Sequence, residues 1–336
     1  MRRQVNRRVL LKKGKATLPR KGTSKHRSLR DSFYQRILAR SGECSACVIR
    51  KVGGIGDILM ITPTLRQLKA DFPALKLTFA IDMHTTGNNV YYELLRNAPY
   101  IDFLIDARFV EHGSYEATID ISAVCIRFER KGLPTVNRVD LFARACGVPL
   151  LRNRRSWYVV EPQEVAYASS IYRQAKSSGK KIVFLHTASM EAKRSWPIEK
   201  YIEIVSRAEA EDLPVTFAVM DFNNKYSLWD KHSNCINISA TTLREMAALI
   251  SEADVFIGPD SGPMHIAGAV STSSIVLFGS IPPQARINYY PTHEAFSLQE
   301  LSCIGCWYAT CPYNTKCMTD LDSDRVYAAI KKRTGL

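Results

Sequence analysis

Three short segments of the chain combine glycines, hydroxyls and charged side chains in a way that suits a phosphorylated ligand. The first is Gly53-Gly54-Ile55-Gly56-Asp57, the second spans residues 186–197, and the third spans residues 258–268. Each follows a short apolar run, so each is predicted to lie where a strand ends and a helix begins. Such positions favour anions, because the free N–H groups and the dipole of the helix face the ligand.

The first segment contains a candidate general base. Its glycines let the backbone approach a ligand closely, and we assign Gly54 and Gly56 to a turn on the acceptor side of the site. Asp57 is placed to take a proton from an acceptor hydroxyl. The alternative is a tight turn in which Asp57 only caps the helix. A dinucleotide-binding GxGxxG motif is excluded, because its register requires glycine at Lys51.

The second segment carries hydroxyls and cations. Its candidate donor-binding residues are Thr187, Ser189, Lys193 and Arg194. Two hydroxyls and two cations beside a helix N-terminus suit a diphosphate. The alternative is a surface loop anchored by a buried Trp196.

The third segment is the strongest of the three. It runs Gly258-Pro259-Asp260-Ser261-Gly262-Pro263-Met264-His265 and continues into small residues. Small side chains allow a ligand to approach the backbone, so Asp260, Ser261, Gly262 and His265 are predicted to contact the donor. A histidine considered alone is more often a structural residue, and that interpretation of His265 stays open.

Alternating strands and helices are predicted to position these segments. The strands of a first lobe are predicted at Cys47–Val52, Leu77–Ile81, Ile101–Asp106 and Thr118–Ile121. A second set follows at Ile182–Thr187, Val215–Met220, Cys235–Ile238, Asp254–Ile257 and Ser274–Phe278. The helices between them indicate an α/β protein with two doubly wound parallel sheets and a ligand cleft between the lobes.

The chain of 336 residues is long enough for two lobes of about 150 residues each. We predict a basic, flexible extension over residues 1–44, a first lobe over 45–160, a second over 161–320 and a C-terminal helix over 321–336. No apolar run approaches the roughly 20 residues that a membrane-spanning helix needs.

The positive charge of the chain is concentrated at its beginning. Residues 1–40 carry +13 of the formal charge of +14, so the remaining residues are nearly neutral. The extension is either a solvated basic arm or a contact to an anionic membrane surface. An organelle presequence is a weaker alternative, and a secretory signal is disfavoured because no apolar segment follows the basic start. A near-neutral body argues against specific nucleic-acid binding.

Nine cysteines in a chain without a secretory signal indicate reduced thiols. Four of them are spaced closely enough for a structural Zn or Fe site. They are Cys303, Cys306, Cys311 and Cys317. Reduced core thiols or disulfides are the alternatives, and Cys44 and Cys47 are a second source of ligands.

Taken in order, the three segments resemble glycosyltransferase family 9, the lipopolysaccharide heptosyltransferases and their relatives. The resemblance covers about residues 47–320 and includes Thr62-Pro63 and Leu277-Phe278-Gly279-Ser280. It implies a GT-B fold of two Rossmann-like domains and an inverting transfer that needs no metal or other cofactor for catalysis. It also implies a cytoplasmic enzyme whose donor is ADP-heptose and whose acceptor is a lipopolysaccharide-core glycan.

The family's roles carry over to matching positions, with Asp57 as base, Asp260 on the donor and the cation two residues before Trp196 on the diphosphate. That cation is Arg194 here, where close relatives have lysine, so Lys193 shares the assignment. One alternative is another nucleotide sugar, or a protein hydroxyl as acceptor, on the same fold. A remote alternative is a non-enzymatic protein that binds nucleic acid or an anionic surface.

Overall fold

The computed structural model describes residues 32–83, 90–111, 113–129, 136–221, 225–238, 241–306 and 310–336. The first lobe contains a four-stranded parallel sheet with strand order β3-β2-β1-β4. Its elements are α1 (Phe33–Leu38), β1 (Ser45–Arg50), α2 (Ile55–Asp71), β2 (Lys76–Ile81), α3 (Val90–Leu95), β3 (Phe103–Asp106), β4 (Ala117–Asp120), α4 (Val124–Glu129) and α5 (Arg138–Cys146).

The second lobe contains a six-stranded parallel sheet with strand order β10-β9-β8-β5-β6-β7. Its elements are α6 (Pro162–Ser177), β5 (Lys181–His186), α7 (Ile198–Ala210), β6 (Val215–Met220), β7 (Cys235–Asn237), α8 (Leu243–Ser251), β8 (Val255–Pro259), α9 (Gly262–Val270), β9 (Ser274–Leu277), α10 (Gln284–Ile287), β10 (His293–Phe296), α11 (Lys316–Thr319) and α12 (Ser323–Thr334).

The prediction of two parallel α/β sheets is confirmed. The central strands β1, β5 and β8 are buried along almost their whole length, as expected for sheets covered on both faces by crossover helices. Strand β10 was not predicted. Its sequence, His293-Glu294-Ala295-Phe296, is half polar because it forms an edge of the sheet, so it lacks the apolar run that marks a buried strand.

The predicted boundary of the basic extension is wrong at its C-terminal end. Residues 32–44 belong to the first lobe, because α1 packs there with Phe33 2% and Ile37 0% exposed. Ser32 caps this helix by accepting a hydrogen bond from the backbone N–H of Gln35. The apolar spacing of α1 is obscured in the sequence by Arg36 and Arg40. The rest of the predicted extension, residues 1–31, lies outside the described residues.

The lobes are joined by continuous packing as well as by the connection between α5 and α6. The largest apolar cluster includes residues of both sheets, and α2 of the first lobe packs on α9 of the second. Arg244 of α8 donates to the carbonyls of Glu93 in α3 and Val159 in the connection, and it pairs with Glu164. No described helix has the length and apolar character that crossing a bilayer requires.

Candidate active site in the interlobe cleft

A cleft of about 840 Å³ lies between the lobes, at the carboxyl ends of β1, β5 and β8. This is where open α/β sheets place their ligands. The three segments singled out from the sequence meet here. Ten of the predicted site residues line the cleft: Gly54, Gly56, Asp57, Ser189, Lys193, Arg194, Asp260, Ser261, Gly262 and His265.

The turn after β1 places Asp57 at the start of α2. Gly53 has a φ of 122°, which a residue with a side chain rarely adopts, and a Cβ there would overlap the carboxylate of Asp57. Gly54 is the N-cap residue of α2, and Asp57 is the third residue of the helix, in its first turn. The alternative of Asp57 as the helix cap is therefore wrong.

Two arginines hold the carboxylate of Asp57. Its Oδ2 lies 3.1 Å from Nη2 of Arg50 at the end of β1, and its Oδ1 lies 2.6 Å from Nη1 of Arg138 in α5. Burial opposes ionisation of Asp57, but the charges of Arg138, Arg50 and Arg286 outweigh it and hold the pKa of the carboxyl below its ordinary value. Asp57 is thus a carboxylate throughout the neutral range.

Charges of alternating sign continue across the cleft. Glu129 of α4 accepts from Arg138 at 2.6 Å and from Arg286 of α10 at 3.2 Å. Arg286 lies 4.0 Å from Asp260, which also accepts from Arg194 at 3.3 Å. Residues of both lobes therefore form one ionic chain that runs from the candidate base to the predicted donor residues.

Four members of this ionic chain were not identified from the sequence, namely Arg50, Glu129, Arg138 and Arg286. Glu129, Arg138 and Arg286 lie in helices without a glycine turn beside them, and Arg50 lies inside a strand run rather than in the turn that follows it. The one available signal was position, because Arg50 is the last residue of a strand whose neighbours are apolar.

The loop after β5 brings cations and hydroxyls to the opposite wall. Lys193 and Arg194 lie in a short 3-10 turn, and both pair with Glu191, at 3.3 and 3.0 Å. Trp196 anchors this loop, since its ring is buried and its indole N–H donates to the carbonyl of Leu321. The buried tryptophan of the alternative interpretation is thus present, and it supports a loop that lines the cleft.

The start of α9 completes the wall of the cleft formed by the predicted donor residues, which we call the donor wall. Ser261 is the N-cap residue of α9, yet its hydroxyl makes no capping hydrogen bond. Within the described part of the chain, three buried polar atoms of this wall lack a hydrogen-bond partner: Ser261 Oγ, Ser280 Oγ and Arg194 Nε. Because unpaired buried donors are costly, a ligand with several acceptor oxygens fits this wall.

His265 is held in place by both lobes. Its ring lies against Gly56 so closely that a Cβ at Gly56 would overlap it. Its Nδ1 lies 3.1 Å from the hydroxyl of Tyr290. Burial lowers the pKa of His265 to about 3, against the charge of Asp260, so the imidazole is neutral. The residue has a structural partner and also faces the cleft, so the two interpretations of His265 do not exclude each other.

Thr187 departs from the prediction. It does not line the cleft, and its buried hydroxyl, directly after the end of β5, donates to Asp221 at 3.2 Å. Alternation along the strand explains this, because consecutive residues at a strand end face opposite sides.

The four late cysteines lie near one another. Burial, together with the charges of Cys311, Cys303 and Cys306, raises the pKa of the Cys317 thiol to about 11. None of the nine cysteines forms a disulfide. Among the described residues, no group of three or more ligating side chains is arranged to hold a metal ion. Residues 307–309, within the predicted cysteine loop, lie outside the described residues.

Two Rossmann-like lobes facing a cleft define the GT-B fold, and solved structures share it. The glycosyltransferase family 9 protein from Veillonella parvula has a TM-score of 0.67 at 16% identity, with 86% of this chain and 97% of that chain covered. The dodecameric iron-containing heptosyltransferase TibC in complex with ADP-D-β-D-heptose has a TM-score of 0.59 at 14% identity, with 87% and 77% covered.

Sequence comparison identifies the family. The profile of glycosyltransferase family 9 (heptosyltransferase) matches residues 123–316, and the chain belongs to this family. The lipopolysaccharide core heptosyltransferase OpsX from Haemophilus influenzae is 27% identical over 208 residues, which are 57% of this chain and 58% of the relative. The chain therefore matches less than two thirds of the length of that relative.

Proposed function

We propose that the protein is an inverting glycosyltransferase that moves a sugar from a nucleoside-diphosphate donor to a glycan of the lipopolysaccharide core. The main support for this proposal is that two walls of one cleft face each other. An ionised carboxylate, Asp57, lies on the first lobe, and Arg194, Ser261 and the start of α9 lie on the second. Family membership supports the reaction class, and this placement supports the proposed roles.

In the proposed mechanism, Asp57 accepts the proton of the acceptor hydroxyl while the oxygen attacks the anomeric carbon. Attack comes from the face opposite the leaving nucleoside diphosphate, so the configuration inverts. Because its two arginine partners stabilise the carboxylate, Asp57 is a weak base. The proton must therefore move late, when the new C–O bond has already made the hydroxyl acidic.

Charge on the leaving diphosphate is stabilised by the second lobe. Arg194 offers a guanidinium that binds phosphate oxygens, and Lys193 stands beside it. The hydroxyls of Ser189, Ser261 and Ser280 and the N–H groups at the start of α9 are further donors. We propose that these groups carry the role that a metal ion has in other transferases, so that catalysis needs no metal cofactor.

ADP-heptose is the favoured donor. The support is the family match together with the similarity in fold to TibC, which binds ADP-D-β-D-heptose. A lipopolysaccharide-core acceptor is supported by the similarity to OpsX, which is a lipopolysaccharide core heptosyltransferase. We further propose a cytoplasmic enzyme that meets its acceptor at the inner face of the membrane. Nine free thiols suit a reducing compartment, and the basic residues 1–40 suit an anionic leaflet.

The metal proposal for Cys303, Cys306, Cys311 and Cys317 is separate from catalysis. TibC is iron-containing, and the four thiols here lie near enough to influence one another. No group of three or more ligating side chains is arranged for a metal ion in the described part of the chain, and the proposed mechanism assigns these four thiols no step. Elemental analysis of the purified protein tests the proposal, and absence of stoichiometric Zn and Fe rejects it.

The function is tested by thermal-shift screening followed by a transfer assay. ADP-heptose should raise the melting temperature more than UDP-, GDP- or CMP-sugars do, because a ligand that binds only the folded state stabilises it. Mass spectrometry should then detect one added heptose on lipopolysaccharide from a heptose-deficient strain. Stabilisation by a different nucleotide sugar alone would transfer the proposal to that donor, and transfer to a protein would replace the acceptor.

A further inference from the structure

A buried row of three hydrogen-bonded side chains runs from the segment between α5 and α6 to the cleft. Ser156 lies in that segment, and its Oγ is 2.8 Å from the hydroxyl of Tyr290. The same hydroxyl is 3.1 Å from Nδ1 of His265. All three residues are buried, with 2%, 3% and 4% of their surface exposed. The sequence predicts His265 as a contact to the donor, and the proposed mechanism gives no role to Tyr290 or Ser156.

The two hydrogen bonds of this row can point in one of two directions. Either Ser156 donates to Tyr290 and Tyr290 donates to Nδ1 of His265, or each bond runs the opposite way. In the first case the neutral imidazole has its proton on Nε2, and in the second on Nδ1. The tyrosine hydroxyl has a single proton, so the direction of its bond to His265 decides the tautomer.

The chemistry of the two groups favours the first direction. A phenol O–H is a stronger hydrogen-bond donor than an imidazole N–H, and an imidazole nitrogen accepts more strongly than a phenol oxygen, so Tyr290 donates to Nδ1 of His265. Nε2 then carries the proton of the neutral ring. That edge of the ring lies against Gly56, and His265 lines the cleft, where a ligand oxygen can accept from it.

We propose that Tyr290, supported by Ser156, is a positioning residue that fixes His265 as its Nε2–H tautomer, so that His265 presents a fixed hydrogen-bond donor to an oxygen of the bound nucleotide sugar. The inference rests on the proposed function, since it assigns His265 a ligand oxygen beside Asp57. A neutral imidazole suits this role, because it donates a hydrogen bond without giving up its proton.

Tyr290→Phe is the direct variant, because it keeps the buried ring and removes the hydroxyl. The chain offers a matched control in Tyr289→Phe, where the lost hydroxyl donates to Asp140 at 2.6 Å and has no contact with His265. The tautomer is read from ¹⁵N chemical shifts of histidine-labelled protein without substrate, with His265 assigned by the signal that disappears in His265→Gln.

Wild-type protein and Tyr289→Phe should show His265 as a single Nε2–H tautomer, and Tyr290→Phe should show a mixture or the Nδ1–H form. Tyr290→Phe should also lower kcat by about tenfold with an unchanged acceptor KM, because a preorganised donor to the reacting ligand is lost. An Nδ1–H tautomer in the wild type, or an unchanged His265 spectrum in Tyr290→Phe, overturns the proposal. An inactive wild type with the Nε2–H tautomer would reject the proposed function and support the tautomer assignment.

Discussion

Asp57 lies between two arginines, and this sets the chemistry that it can do. The contacts of 3.1 Å to Arg50 and 2.6 Å to Arg138 keep the carboxylate ionised and fix the direction of its lone pairs. They also weaken it as a base. In the proposed mechanism, an acceptor hydroxyl that approaches Asp57 competes for the carboxylate oxygens with the guanidinium of Arg138, which also lines the cleft.

Removing one arginine should change the pH dependence of transfer. In Arg138→Gln a positive charge that lowers the pKa of Asp57 is lost, so that pKa rises. The proposed mechanism requires the carboxylate, so the acid limb of the kcat/KM profile should move to higher pH. Arg144→Gln, an exposed position on the same helix, is the control and should leave the limb in place. An unmoved limb in Arg138→Gln would show that Asp57 is not the titrating base.

The residues predicted from sequence share one property that the missed ones lack. Asp57, Ser189 and Asp260 follow strands and precede helices, and the parallel topology of each lobe brings such positions to one edge. Arg138 reaches Asp57 because α5 packs on α2, and Arg286 reaches the cleft because the lobes pack on each other. That packing depends on contacts between residues far apart in the chain, such as Asn137 Nδ2 with the carbonyl of Gln284 at 3.2 Å. Local spacing does not encode these contacts.

Helix α2 contains a proline, and the threonine before this proline compensates for the hydrogen bond that the proline cannot make. Pro63 lies inside the helix and has no N–H for the carbonyl of Leu59. The hydroxyl of Thr62 donates to that carbonyl at 2.7 Å and accepts from the backbone N–H of Trp157 at 2.9 Å. The Thr62-Pro63 pair therefore ties the helix that carries Asp57 to the interlobe connection.

Thr62→Val should destabilise the fold by about 2–3 kcal/mol, because it leaves the buried carbonyl of Leu59 and the half-buried N–H of Trp157 without this partner. The matched control is Thr64→Val on the same helix, since the buried hydroxyl of Thr64 bonds to no described residue. That variant should be neutral or slightly stabilising. Urea denaturation measures both, and equal losses would contradict the role assigned to Thr62.

The long buried strands could be predicted from the sequence pattern, and several short elements could not. The strands of both sheets were predictable to within two residues at most ends, because buried parallel strands are near-continuous apolar runs. The short elements α1, α10 and β10 were not. Their apolar residues are few and mixed with charges, and they become recognisable only from the surfaces that they cover.

At the scale of the whole molecule, the two lobes meet through α2 and α9. Gly56 lies directly on the ring of His265, and Gly262 lies against Ile55. The candidate base and the donor wall are thus held at a fixed separation by close backbone packing. The ionic chain through Glu129 connects the same two lobes on the far side of Asp57.

Gly56→Ala should force the lobes apart, because the added methyl group overlaps the His265 ring. We expect a lower melting temperature and a donor affinity weaker by about tenfold or more, since a shift of about 1 Å in a preorganised site has a large effect. Gly54→Ala is the control for stability, because a Cβ at Gly54 meets no described atom within 4 Å. Equal melting temperatures for the two variants would contradict this account of the interface.

We propose that Asp57 is the base for transfer from a nucleoside-diphosphate sugar bound on the opposite wall. The most direct measurement combines ADP-heptose titration calorimetry with single-turnover transfer for the wild type, Asp57→Asn and Asp71→Asn at the other end of α2. Asp57→Asn should bind the donor about as tightly as the wild type and transfer at least about 100-fold more slowly, while Asp71→Asn behaves as wild type. Undiminished transfer by Asp57→Asn, with the donor bound, would contradict the claim.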